Sequence, residues 1–108
     1  LSNIVNQLTI LNPEKVMNIV EEIVGDLERK NLNKKLDIAN KVGLSIHISC
    51  LIERLLLKQG IENVDGIELF RRENKEAIEK VREAFSVANY QYSVEITDPE
   101  IKYILNYF

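Results

Sequence analysis

Gly43-Leu44-Ser45-Ile46-His47-Ile48-Ser49-Cys50-Leu51-Ile52-Glu53-Arg54-Leu55 is the most apolar stretch of this 108-residue chain, and it carries the only histidine. Leu44, Ile48, Leu51 and Leu55 recur at three- and four-residue spacing, with Ile46, Cys50 and Leu57 on the other flank. That period belongs to a helix that is apolar over most of its circumference. At about 100° per residue, Asn40, His47, Arg54 and Lys58 project within roughly 40° of one another, a narrow polar stripe with Gly43 at its side. The spacing predicts a helix over about 34–58, stopped by Gln59-Gly60.

The same period continues on both sides. Asn12-Pro13 reads as an N-cap followed by proline at the first helical position, where its missing N–H costs nothing. Val16, Ile19, Val20, Ile23, Val24 and Leu27 then form one apolar stripe as far as about Arg29. Upstream, Ile4, Val5, Leu8 and Leu11 suggest a connector helix over 1–11, which leaves 12–108 as the domain. Beyond the histidine helix, Asn63-Val64-Asp65-Gly66 reads as a loop and 67–72 as a short helix. A longer helix is expected over 74–88, with Ala77, Ile78, Val81, Ala84, Phe85 and Ala88 facing inward. Tyr90-Gln91-Tyr92-Ser93-Val94 alternates like a strand but has nothing to pair with, so it is read as an extended loop. Thr97-Asp98-Pro99-Glu100 has the pattern of a capping box, opening a last helix that carries Ile101, Ile104, Leu105 and Phe108. The expected fold is an all-α, single-domain bundle of about five helices.

Composition narrows the function. The chain is 45% hydrophobic and 29% charged, enough for a core and for a soluble surface. Unbroken apolar runs are no longer than three residues, as at Leu55-Leu56-Leu57, so no membrane span is expected. The net charge is −3 and the basic residues are interleaved with acids, which argues against a direct nucleic-acid surface. A lone cysteine, Cys50, fits a reducing cytoplasm, and no signal peptide is evident at Leu1-Ser2-Asn3-Ile4. Leucine rather than methionine at the first position suggests a piece of something longer.

The chemistry therefore rests on His47. Arg54 lies two turns on, a rise of about 10.5 Å that a long side chain leaning toward the N-terminus partly spans. Gly43, one turn before, leaves room, at a helix-propensity cost of about 1 kcal/mol relative to alanine. An imidazole between a small residue and a guanidinium suits the acceptance of a bulky anionic group. The plain alternatives are a histidine hydrogen-bonded at the edge of a core, and an Arg54 paired with a carboxylate from a neighbouring helix. Cys50 with His47 makes at most half a zinc site, and Tyr103, Tyr107 and Phe108 read as packing. No cofactor motif or acid–base constellation points to an enzyme.

Three pieces together resemble the PTS regulation domain, the phosphorylatable module of sugar-responsive bacterial transcription regulators. They are L-N-P-E-K-V at Leu11–Val16, the histidine segment at Gly43–Leu55, and D-P-E-I-K-Y-I at Asp98–Ile104, in the family's order and spacing. They are most similar to the variant at the C-terminal end of levan- and mannose-type activators that work with an alternative sigma factor. The resemblance implies a five-helix bundle with His47 as phosphoacceptor and Arg54 as the group that steadies the phosphate. It implies HPr or an enzyme IIB as phosphodonor, a homodimer, and further domains of a full-length regulator as partners. Many members have a second histidine near the end of the last helix, and here Tyr107 stands at that position, which implies a single-histidine switch. A histidine phosphotransfer domain would follow its histidine with a Lys-Gly pair, whereas His47 is followed by Ile-Ser-Cys-Leu. The remaining rival is a constitutive dimerisation or docking module.

Overall fold

A computed structural model describes residues 12–30, 32 and 35–108, so the connector helix expected over 1–11 lies outside the described residues. Six helices are present there and no strand: α1 (Pro13–Arg29), α2 (Ile38–Leu56), α3 (Ile67–Glu73), α4 (Lys75–Ala84), α5 (Ser86–Tyr92) and α6 (Asp98–Leu105).

α1 starts where its sequence says. The Asn12 side chain accepts the Lys15 N–H at 3.1 Å, satisfying one of the donors a helix start leaves open. Its buried residues are the six of the apolar stripe, and they pack against α2, α4 and α5. Each fully buried Ile, Val or Leu contributes about 1.5–3 kcal/mol, which makes this helix the axis of the core.

α2 begins later and ends sooner than the periodicity predicts. Asp37 is its N-cap, accepting the Asn40 N–H at 2.8 Å, so Lys35 and Leu36 stay outside the helix. At the other end Lys58, not Gly60, takes the left-handed conformation, with φ 58°. The Gln59 N–H bonds the Arg54 carbonyl at 2.8 Å and the Lys58 N–H bonds that of Leu55 at 3.1 Å, a complete Schellman turn. Lys58 therefore leaves the polar stripe. Within α2 the hydroxyls of Ser45 and Ser49 bond carbonyls one turn back, those of Lys41 and Ser45, which lets both serines sit buried among aliphatic neighbours.

The helix expected over 74–88 is divided. Phe85, buried, turns the chain between α4 and α5, so both can follow the surface of α1. The tyrosine segment is also helical as far as Tyr92, against the expectation of an extended loop. Tyr90 is 88% exposed and Tyr92 half-buried, so the alternation marks amphipathic rings on a helix rather than a pleat. Ser93, with φ 55°, ends α5, and Val94 and Ile96 return to the core on the way to α6.

Candidate functional site

α2 and α6 run antiparallel and are bridged by side chains at two levels, and His47 belongs to one of them. Its Nδ1 lies 3.3 Å from the Tyr107 hydroxyl, and the two rings are 5.8 Å apart, tilted by 57°. Tyr107 follows directly on Asn106, the C-cap of α6, and packs at the edge of the core. Its ring stands over Gly43: a Cβ there would meet Tyr107 Cε1 at 3.6 Å, an ordinary contact. The space at Gly43 is thus shared with an aromatic ring, not left above the imidazole. Asn40, His47, Tyr103, Asn106 and Tyr107 line an open pocket of ≈ 360 Å³.

The second bridge lies two turns along α2. Arg54 Nη2 donates to both carboxylate oxygens of Glu100, at 3.0 and 2.9 Å. Glu100 is fully buried and accepts a further bond from the Ile61 N–H at 3.2 Å. The capping box expected at Thr97–Glu100 is therefore half built. Thr97 accepts the Glu100 N–H at 3.4 Å, but the Glu100 side chain turns inward to Arg54 and the 57–66 loop. Thr97 in turn donates its hydroxyl to the Ile61 carbonyl at 2.6 Å. Beside this bridge, Asp98 takes hydrogen bonds from Arg71 and Arg82 and ties α6 to α3 and α4.

Burial and these charges together act on the imidazole. Partial burial is the main force holding the His47 pKa below its usual value, the nearby Arg54 charge adds to it, and Glu100 pulls weakly the other way. At neutral pH the ring is uncharged and one nitrogen offers a lone pair. An imidazole with a free lone pair at the lining of an open pocket is chemically able to act as a nucleophile.

Of the residues singled out from the sequence, His47 and Asn40 share the pocket, while Arg54 points to Glu100 and Lys58 falls away at the Schellman turn. Cys50 is a half-buried free thiol, and no group of three metal-capable side chains stands together among the described residues. Glu100 and Tyr107 are the residues sequence reasoning missed as members of the site. Glu100 was hidden by the capping pattern, and the signal for Tyr107 was its place where the resembled family often has a second histidine.

Compared with models of protein families, the chain matches that of the PRD domain over residues 21–108, a span that holds His47, Arg54, Glu100 and Tyr107. No curated protein and no solved structure matches it.

Proposed function

The chain belongs to the PRD domain family, regulatory rather than catalytic modules controlled by phosphorylation through the phosphotransferase system, and we propose that His47 is the phosphoacceptor of this member. The observation that carries the reading is the place of the ring: the sole histidine is half-buried and lines an open pocket. One imidazole nitrogen attacks the phosphorus of a phosphorylated donor protein, HPr or an enzyme IIB, and the donor's nitrogen or sulfur departs with the electron pair.

Phosphorylation turns an uncharged ring into a group carrying about −1.5 to −2 charges. Arg54 is the phosphate-stabilising residue in this reading, already oriented by Glu100 and one-third exposed. The new anion competes with the buried carboxylate for the same guanidinium, so the tie between α2 and α6 is re-weighted. Carboxylates or apolar surface of a facing subunit would be repelled by the same charge. In the full-length protein that change passes to its other domains, an output we assign to a sugar-responsive transcription regulator acting as a homodimer in the cytoplasm. Exposed Ile38, Val42 and Tyr103, around the His47 end of α2, support self-association there.

The rival reading, a constitutive docking module, draws on the Arg54–Glu100 pair, which is complete without phosphate. Incubating the chain with phosphoenolpyruvate labelled in its phosphate, enzyme I, HPr and an enzyme IIB separates the two. Acid-labile, base-stable label that disappears in His47→Ala supports the acceptor role. A wild-type chain that neither donor labels leaves the docking module.

A further inference from the structure

The Tyr107 hydroxyl meets His47 at one ring nitrogen, Nδ1. A neutral imidazole has one N–H and one lone pair, and the partner of one nitrogen fixes the role of the other. Here the partner stands at Nδ1, 3.3 Å away, and its ring is held in place by the edge of the core and by the small residue Gly43 beneath it. We propose that Tyr107 is a positioning residue: its hydroxyl oxygen accepts from Nδ1–H, holds His47 in the Nδ1–H tautomer, and so makes Nε2 the nitrogen that takes the phosphoryl group. The proposal rests on the acceptor reading of His47 and adds the atom and the residue that selects it.

In the transfer the Nε2 lone pair forms the new N–P bond while the donor's N–P or S–P bond breaks, its electron pair leaving with the donor atom. The product ring then carries phosphorus on Nε2 and a proton on Nδ1, with a positive charge that Nδ1 discharges by releasing its proton to water. A hydroxyl serves both states, because it accepts from Nδ1–H before transfer and rotates to donate to the bare Nδ1 afterwards. A carboxylate at the same place accepts but cannot donate.

The contact is long for an N–H···O bond, so its effect belongs at the low end for a neutral hydrogen bond. Tyr107→Phe keeps the ring and removes only the hydroxyl. In the full 108-residue chain, labelled with ¹⁵N and held above the histidine pKa, long-range ¹H–¹⁵N correlation reads the tautomer directly. Wild type is expected as Nδ1–H, and Tyr107→Phe shifted toward Nε2–H, the form free histidine favours. With phospho-HPr as donor, wild type is expected to carry phosphorus on Nε2, and Tyr107→Phe to react roughly twofold more slowly. Wild type found as Nε2–H, phosphorus found on Nδ1, or a Tyr107→Phe tautomer identical to wild type would each overturn the proposal. A chain that keeps a Tyr107-dependent Nδ1–H but accepts no phosphoryl group sinks the acceptor role and leaves the tautomer assignment standing.

Discussion

Two bridges join the same pair of helices, and they are built from opposite materials. At one level His47 meets Tyr107 through a single neutral contact of 3.3 Å beside an open pocket. Two turns away Arg54 meets Glu100 through charge-assisted bonds of 2.9 and 3.0 Å onto a carboxylate with no exposure to solvent. The charged bridge is costly to lose outright, because either partner alone is a buried or half-buried charge without compensation. The neutral bridge loses little when it opens. Rearrangement with the bundle still folded is therefore cheaper at the His47 contact than at Glu100.

The largest effect should come from breaking the charged bridge one-sidedly. Arg54→Ala leaves Glu100 buried and unpaired, and a loss of about 3–5 kcal/mol in unfolding free energy is expected from urea titration. Replacing both partners with apolar residues (Arg54→Met with Glu100→Leu) should recover most of that loss. If the single and double variants are equally unstable, the cost lies in packing and not in the stranded charge.

Next comes acid. Burial favours protonation of Asp98, but the hydrogen bonds from Arg71 and Arg82 outweigh it and hold its carboxyl below the usual carboxylate range. A depressed carboxyl gives stability that is complete above the unfolded value of about 3.9 and is lost as pH falls toward the folded one. Asp98→Asn should flatten the stability profile below about pH 4; the same acid slope in both proteins would refute the role.

His47 contributes a smaller step of the same sign. Its folded pKa is depressed, so the unfolded chain takes up the proton first. Stability is then full above the unfolded value of about 6.5 and declines as pH drops through it. His47→Gln should erase that step between about pH 7 and pH 5 while costing about 1 kcal/mol or less at neutral pH. Thermal denaturation across that range tests it. The smallest effect is expected at Tyr107→Phe, about 0.5 kcal/mol of stability by the same measurement, because the ring packing survives.

Much of this architecture could be read in advance, and the misses share a physical cause. The α1 stripe and the Asn12, Thr97 and Gly66 signals depend on local spacing and backbone freedom, and each is in place; Gly66 has φ 79° and opens α3. The end of α2 is set instead by a lysine in a left-handed conformation that its side chain disfavours, held there by the two backbone bonds of the Schellman turn. Phe85 divides α4 from α5 with neither glycine nor proline, because burying that ring against the core outweighs a continuous helix. The site followed the same division. His47 and its polar stripe were visible as helical periodicity, whereas the partners from α6 and the turn after it, Glu100 and Tyr107, reach α2 across 46 and 60 residues of chain. No spacing rule covers a contact of that range.

Ile61 carries a further consequence. Its N–H is bound to Glu100 and its carbonyl to Thr97, so one residue pins the middle of the 57–66 connection onto the start of α6. Mechanically that connection is two short tethers, not one long one. The first, from Lys58 to Gly60, is short: Lys58 and Gln59 are held by the Schellman turn, which leaves only Gly60 before Ile61. The second, at Glu62 and Asn63, is exposed. Extra residues spliced in at 62–63 lengthen only a surface excursion, whose closure entropy grows by about 0.6 kcal/mol per doubling of length. The same residues spliced in at 59–60 would pull Ile61 off both of its partners.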